Sequence, residues 1–300
     1  MTELIPPRPT DGSVPTGSSF MSGIKALTWD QFEQRVYQEI ARGNVPDFVR
    51  PENFREVTVS ATIGGRTVEA RVRVAPDYLA IGSNTDFIRV PISPLMAQRL
   101  ATRYGLALPT DRLVDVIDEA AKKAGGYLTF VGAPEIASRV VDPDSGQKVS
   151  ARWNYKVYGR YEARWMESPI FAQQQSQMTD SQSGVSAPIR SGHKKDVIYH
   201  QDLPNHPNDP RVAIYHRGIQ PSSTIHHDLY MDYSHGIRFI SPDIQVTTIE
   251  TNGSRVTRPM TLSSILQDKT LYQLFSASQM NIDQMYRRDP NAAPQKAVAR

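Results

Sequence analysis

Apolar residues recur at helical spacing in three stretches of the first half of the chain. The spacing predicts an amphipathic helix over 29–42, where a capping box precedes the first apolar residue. A second helix is predicted from Pro94 to Gly105, and a third begins after the capping residue Thr110. These helices carry one apolar face each and are typical of scaffold elements.

Strict alternation of apolar and polar residues is typical of half-buried strands. It occurs over 57–62 and 67–74, on either side of Gly64-Gly65, and predicts a hairpin with a tight turn. Shorter apolar runs predict further strands, and two C-terminal helices complete the pattern. The predicted short strands are 78–81, 87–90, 196–199, 211–216 and 237–240, and the C-terminal helices are 262–267 and 269–276.

These elements predict an α+β fold in a single compact domain over 26–280. N-terminal helices and a β-hairpin would support a mainly β C-terminal half, with a possible subdivision near 172–191, where Gln and Ser dominate. Residues 1–25 are rich in proline and polar residues and are predicted to form a disordered arm, and 281–300 a disordered tail.

The amino-acid composition excludes several kinds of functional site. The chain has no cysteine, which excludes disulfides, Cys-ligated zinc, iron–sulfur clusters and thiol nucleophiles. The net charge of +3 gives no strong nucleic-acid signal, so the aromatic and charged run over 152–165 is interpreted as sheet in preference to a base-stacking platform.

The N-terminal sequence has neither a basic region nor an apolar stretch of a secretory signal peptide. No run of about 18 apolar residues predicts a membrane span. We therefore expect a soluble protein, and the cytoplasm, a virion and delivery without a signal peptide all remain compatible with the sequence.

All seven histidines of the chain lie in one window. Imidazole is the side chain best suited to proton transfer near neutral pH, and it is also the commonest metal ligand. The window therefore predicts a functional site. Its histidines are His193, His200, His206, His216, His226, His227 and His235.

Within this window we predict two sets of site residues. Histidines would act as acid or base, and an aspartate would orient them, while cationic and aromatic residues would bind an anionic substrate group. The predicted catalytic residues are His193, Asp196, His216 and His235, and the predicted substrate-binding residues are Lys195, Tyr233 and Arg238.

A metal site is an alternative use of the same residues. The spacings match neither His-Glu-x-x-His nor a calcium loop, but a three-histidine zinc site needs no short motif because its ligands can come from distant positions. The candidate ligands are His193, His216, His227 and His235. The sequence leaves zinc-assisted and metal-free acid–base chemistry as alternatives.

Several motifs resemble a group of uncharacterised bacterial proteins. They are Gly-His-Lys-Lys-Asp-Val at 192–197, Val-Ala-Ile-Tyr at 212–215 and Asp-Tyr-Ser-His-Gly-Ile-Arg at 232–238, with similar stretches at 43–48, 76–83 and 108–110. The resemblance covers most of 30–240. It implies a common fold with a shared polar pocket and no particular activity.

A shorter stretch, Ser234 to Arg238, is similar to the Ser-His-Gly-Cys-x-Arg signature of L,D-transpeptidases. Ile237 stands where that family has its nucleophilic cysteine, so thioester chemistry is excluded. The resemblance implies a cell-wall substrate.

Two functions of different classes follow. The first is a hydrolase with a His-rich, Cys-free site acting on a bacterial cell-wall or other glycan polymer, or on another anionic substrate. The second is a non-enzymatic structural or interaction protein of a virion or secretion apparatus, whose protein partners the sequence does not identify. Histidines that converge would favour the enzyme, and dispersed histidines with all hydrogen bonds satisfied would favour the structural protein.

Overall fold

The computed structural model describes residues 3–24, 27, 29–128, 140–141, 148–149, 188–203, 211–228 and 234–285. Within them the predicted α+β class is confirmed, because helices and a hairpin precede a mainly β C-terminal half. The predicted strand run over 152–165 lies outside the described residues, as does most of 172–191.

The predicted helices form where capping residues begin and end them. Ser93 accepts a hydrogen bond from the N–H of Met96, and Gly105 ends that helix with φ 64°. Thr110 caps the next helix in the same way. The predicted helix over 269–276 is instead a short 3-10 helix, Leu271–Leu274. The described α-helices are α1 (Gly17–Gly23), α2 (Trp29–Ala41), α3 (Pro94–Tyr104), α4 (Asp111–Lys123) and α5 (Leu262–Gln267).

In the described part of the chain, a first antiparallel sheet has the strand order β1-β2-β11-β12. The predicted hairpin forms β1 and β2, in register from Arg55 opposite Val74 to Ile63 opposite Arg66. β11 and β12 form a second hairpin. It was not predicted, although Asn252-Gly253 between the two strands is a hairpin turn signal. The strands are β1 (Arg55–Ile63), β2 (Arg66–Val74), β11 (Asp243–Ile249) and β12 (Arg255–Thr261).

A second sheet among the described residues has the order β10-β7-β8-β9. Its β7–β8 and β8–β9 pairs are antiparallel, whereas β10 lies parallel to β7. The strands are β7 (Lys195–Ile198), β8 (Arg211–His216), β9 (Gln220–His227) and β10 (His235–Gly236). Four short strands form two further pairs, namely β3 (Ala80–Gly82) with β4 (Phe87–Arg89) and β5 (Val140–Val141) with β6 (Lys148–Val149).

The predicted strand over 237–240 does not form a regular strand. The carbonyl oxygens of Ile237 and Phe239 accept from the N–H groups of Leu79 and Ala75 at 2.8 and 2.9 Å. Ile240 makes only isolated bridges, so the segment divides its hydrogen bonds among separate partners and builds no single ladder. This segment joins the two sheets through residues 75–79, which leave the first sheet directly after β2.

The N-terminal arm also departs from the prediction. Residues 3–24 are packed on the domain, with Ile5, Val14 and Phe20 buried. Gly17 lies so close to the backbone of Phe87 that an added Cβ would be 2.5 Å from it. The proline-rich composition suggested disorder, but the burial of Ile5, Val14, Phe20 and Ile24 offsets the entropy of ordering.

The buried hydrophobic side chains of the described residues form one core, to which both sheets and the helices contribute. Its sequence-predicted members include Phe32 and Val36 of α2 and Leu113 and Ile117 of α4. A set of charged side chains is buried beside this core, where the two sheets meet.

Candidate functional site

Two of the sequence motifs meet on neighbouring strands of the second sheet. His235 of β10 lies opposite Lys195 of β7, and Gly236 lies opposite Asp196. The N–H of Lys195 donates to the carbonyl oxygen of Ser234 at 2.7 Å. Because β10 and β7 are adjacent and parallel, residues that are far apart in the sequence converge around Asp196.

The Asp196 carboxyl is held by a tyrosine from the segment that joins the sheets. The hydroxyl of Tyr78 donates to Oδ2 of Asp196 at 2.9 Å, and the two residues are 1% and 2% exposed. Burial raises the pKa of Asp196 to about 7, although the charge of Arg238 and the Tyr78 hydrogen bond act to lower it. Such a carboxyl can both donate and accept a proton near neutral pH.

Arg238 stabilises the site from within. Its Nη1 and Nη2 donate to the carbonyl oxygens of Ala75 and Arg190 at 2.6 and 2.5 Å. Its guanidinium lies over the Tyr78 ring, 4.3 Å from the ring centroid, and its Nε is 3.8 Å from Oδ1 of Asp196. The guanidinium that sequence reasoning assigned to substrate binding thus fixes two backbone segments and compensates the Asp196 carboxylate.

A second buried carboxylate lies next to Tyr78 in the sequence. Asp77 accepts from Nε of Arg89 at 2.8 Å through Oδ1, and from Nη2 through Oδ2. The Tyr78 backbone N–H also donates to Oδ1, at 2.7 Å. His193 places its Nε2 3.9 Å from the same oxygen, and its ring packs edge-on against Tyr78 at 5.1 Å.

The environments of these groups move their pKa values in different directions. Burial acts to raise the pKa of Asp77, but the Arg89 guanidinium outweighs burial and holds it at about 2. Burial lowers the pKa of His193 well below its usual value, so the ring is neutral at pH 7, and burial raises the pKa of Tyr78. One ionised carboxylate therefore lies near a second carboxyl that titrates near neutrality, a pattern found in acid–base sites.

Residues 190–193 are held by contacts with α4 and β8. The Ser191 hydroxyl donates a hydrogen bond to Oδ1 of Asp118, which lies in α4. Nε2 of His216 lies 2.7 Å from the carbonyl oxygen of Gly192, and its Nδ1 lies 2.9 Å from that of Arg217. His216 is thus a backbone clamp on the segment that carries His193, and this contact is different from the catalytic role predicted for it.

The predicted metal site is not assembled by its described members. Within the described ranges, there is no group of three or more histidine, aspartate and glutamate residues that could hold a metal ion. His193, His216 and His235 are all described and buried, and both ring nitrogens of His216 contact backbone carbonyls. The backbone of His227 is part of β9, but its side chain is outside the described set.

The remaining predicted residues have different positions. His235 is buried in β10, and Lys195 is half-buried at the start of β7. Tyr233 lies outside the described residues. His200 is buried, and its Nδ1 accepts from the N–H of Asp202 at 3.2 Å.

Sequence reasoning did not assign Asp77, Tyr78 or Arg89 to the site. Asp77 and Tyr78 belong to one of the stretches of the bacterial resemblance, but nothing local marks them as partners of residues more than 100 positions away. Arg89 lies in a short run whose other residues are apolar, which predicts a buried strand, and a buried arginine requires a buried anion. That requirement is the one sequence signal for the pair. In the structure Arg89 is 2% exposed.

Gly236 sets how closely Tyr78 can approach Asp196. A Cβ at this position would lie 2.5 Å from the Tyr78 ring and 2.8 Å from Cβ of Lys194. We expect Gly236→Ala to displace Tyr78 and to lower the free energy of unfolding by about 1–3 kcal/mol, measured by urea denaturation.

Gly23→Ala is the matched control, because a Cβ at Gly23 would meet no atom within 4 Å. We expect this variant to be as stable as the wild type or up to about 1 kcal/mol more stable. A Gly236→Ala variant with the stability of Gly23→Ala would contradict the close packing of Tyr78.

Comparison with known proteins finds no matching family model, curated protein or solved structure for this chain. The two sequence resemblances therefore stay predictions. Among the described residues, no helix combines the length and apolar character that crossing a membrane requires.

Proposed function

We propose that the chain is a hydrolase in which Asp196 is the general acid and base. The observation that carries this proposal is a carboxyl that is 2% exposed and accepts the Tyr78 hydroxyl at 2.9 Å. Burial raises the pKa of this carboxyl to about 7. The neutral ring of His193 lies beside the same tyrosine. An ionised carboxylate and a carboxyl that titrates near neutrality in one site support acid–base assignments of this kind.

In the proposed reaction, water adds to the electrophilic atom of the substrate. The protonated Asp196 carboxyl gives its proton to the departing oxygen, and the proton released by the attacking water restores that carboxyl. Arg238 stabilises the Asp196 carboxylate between these steps, since its Nε is 3.8 Å away. Tyr78 is a positioning residue that keeps Oδ2 in place.

We infer a bacterial cell-wall or other glycan polymer as the substrate. Support comes from the similarity of Ser234 to Arg238 to the L,D-transpeptidase signature, in which Ile237 replaces the cysteine. A hydrolytic mechanism based on a carboxyl needs no thiol and agrees with a chain that has no cysteine.

We expect Asp196→Asn to lower kcat for hydrolysis by about 10²- to 10⁴-fold, because asparagine cannot exchange the catalytic proton. Soluble peptidoglycan fragments and chitooligosaccharides would be the substrates, and reducing ends released per minute the readout. Asp115→Asn is the matched control, since Asp115 also accepts a tyrosine hydroxyl, that of Tyr215 at 2.7 Å, but is partly exposed.

Unchanged activity in Asp196→Asn, or an equal loss in Asp115→Asn, would contradict the assignment of Asp196. No release of reducing ends by the wild-type protein would contradict the glycan substrate.

The second candidate is a non-enzymatic structural or interaction protein, as in a virion or secretion apparatus. Its support is the burial of the site, because His193 and Arg238 are 0% exposed. It predicts that Asp196→Asn changes stability and leaves every binding and catalytic property unaltered.

A further inference from the structure

A pocket of about 630 Å³ lies between α1 and α2. Small-molecule sites usually have volumes of roughly 300–1,000 Å³, so this pocket is large enough for a ligand. Residues of α1, the segment that follows it and one face of α2 line the pocket. None of the lining residues belongs to the cluster around Asp196, so a ligand in this pocket would not depend on the proposed function.

One side of the pocket is apolar and suits an aliphatic chain. Phe20 and Ile24 lie at its base and are 2% and 1% exposed, while Pro15 and Leu27 are half-buried at its edge. Phe20 is the one aromatic residue among the described residues that line the pocket, and its ring packs against Phe32 with 6.5 Å between the centroids. The pocket therefore gives a ring-shaped ligand no exposed aromatic face on which to stack.

The other side of the pocket is polar and belongs to α2. Its residues are three or four positions apart and so share one face of the helix, whereas the buried apolar residues of α2 lie on the other face. They are Gln31, Gln34, Arg35 and Gln38, and all four are exposed. The amide groups of glutamine can donate hydrogen bonds, and Arg35 is the one charged residue among the described residues that line the pocket.

The positive charge of Arg35 is only partly compensated. Its Nη2 lies 2.9 Å from Oε1 of Glu39. The same Glu39 oxygen lies 3.8 Å from Nη1 of Arg42, so one carboxylate faces two guanidinium groups. The Arg35 side chain is 44% exposed. Because a guanidinium has five N–H donors, Arg35 can bind an anion in the pocket while it keeps its contact with Glu39.

We propose that the pocket between α1 and α2 binds an aliphatic carboxylate, such as a medium-chain fatty acid. The chain would lie against Ile24 and Leu27, and the carboxylate would accept hydrogen bonds from Arg35 and the neighbouring glutamine amides. An aliphatic alcohol would cover the same apolar side but would bring no negative charge to Arg35. A carboxylate without a chain would lack the apolar contacts.

The test measures binding to the full-length protein by isothermal titration calorimetry at pH 7, with the ionic strength held constant by sodium chloride. Each methylene that becomes buried raises the affinity by up to about fourfold. We therefore expect octanoate to bind about fourfold or more tightly than hexanoate, and acetate to give no measurable binding. Hexan-1-ol has the chain of hexanoate without its charge, and it should bind about fivefold or more weakly than hexanoate.

Gly23→Leu tests the position of the bound chain. Gly23 lines the pocket, and a Cβ there would meet no atom within 4 Å, so the leucine fills space in the pocket and leaves the fold intact. We expect this variant to bind octanoate about tenfold or more weakly than the wild type. Ser22→Leu is the matched control, because it places the same side chain on the next residue of α1, which is exposed and does not line the pocket. We expect it to retain the wild-type affinity.

Gln34→Glu tests the position of the carboxylate. The substitution changes an exposed side chain of the polar side and places a negative charge next to Arg35. It should weaken octanoate binding about fivefold or more and leave the weaker binding of hexan-1-ol unchanged. Gln245→Glu is the matched control, since it makes the same change at an exposed position of β11.

Three results would overturn the inference. The first is a wild type that shows no saturable binding of octanoate. The second is hexan-1-ol binding as tightly as hexanoate, which would identify an uncharged ligand. The third is equal octanoate affinity in Gly23→Leu and Ser22→Leu, or in Gln34→Glu and Gln245→Glu, which would place the bound molecule elsewhere on the surface.

Discussion

Replacement of Asp77 by asparagine is expected to lower the free energy of unfolding by about 3–5 kcal/mol. Asparagine has nearly the same shape and can still accept the Tyr78 N–H, but it removes the negative charge that faces Arg89. Because Arg89 and Asp77 are both buried, the arginine would keep its charge without a compensating partner. Removing one member of a buried ion pair is more destabilising than the pair is stabilising.

Urea denaturation at pH 7 would measure this change. Glu69→Gln is the matched control, since Glu69 pairs with Arg255 at 2.7 Å on the exposed side of the first sheet. We expect that change to cost at most about 1 kcal/mol. An equal effect of the two substitutions would contradict the structural importance of the buried pair.

The contribution of the Asp77–Arg89 pair to stability should also be measurable at acidic pH. The pKa of Asp77 is about 2 in the folded protein and 3.8 in the reference state. A carboxyl with a lowered pKa contributes stability above its unfolded value and loses it as pH falls through its folded value. Between about pH 4 and pH 2 the wild type should therefore lose stability that Asp77→Asn never had.

Local signals were sufficient for α2, α3, α4 and α5 and for one hairpin. Ser93 with Gly105, and Thr110 with the cations at the end of α4, fix helix ends through groups a few residues apart. The Gly64-Gly65 turn fixes the register of β1 and β2 in the same way. Such elements are predictable because every interaction that defines their ends lies within them.

The N-terminal arm shows where composition misleads. Prolines and glycines suggested disorder, yet Phe20 and Ile24 are buried and α1 contacts β3 and β4. Gly17 is needed for close approach to Phe87, and proximity of this kind has no local sequence signature. Composition estimates the entropy of ordering but not the burial that a distant surface supplies.

Only part of the candidate site could be predicted from the sequence, because residues from distant segments complete it. The histidine window contains His193 and Asp196, which both contact Tyr78 in one buried cluster. It could not supply Asp77, Tyr78 and Arg89, because these residues come from the segment after β2 and from β4. The sequence predicted a catalytic role for His216, but its ring contacts the carbonyl oxygens of Gly192 and Arg217, which no local signal reveals.

Asp196→Asn is expected to change how stability depends on pH. The pKa of Asp196 is about 7 in the folded protein against 3.8 in the reference state. The folded state thus holds a proton that the unfolded state has released between these two values. For a raised pKa, stability is fully present below pH 3.8 and falls as pH rises towards 7.

The difference in unfolding free energy between Asp196→Asn and wild type should therefore grow with pH in favour of the variant. Three pKa units correspond to roughly 4 kcal/mol, reached near pH 7 and constant above it. His193 acts in the opposite direction, because its lowered pKa makes stability fall as pH drops below 6.5. Both proteins contain His193, so its contribution largely cancels in the difference.

Urea denaturation at half-unit steps from pH 4 to pH 8 would measure this difference. Asp115→Asn, which loses a partly exposed tyrosine–aspartate hydrogen bond, should stay within about 1 kcal/mol of wild type. A difference between Asp196→Asn and wild type that does not vary over this range would mean that Asp196 releases its proton as readily in the folded as in the unfolded chain. The carboxyl would then be fully ionised at neutral pH, and its role as a general acid would not follow from its burial.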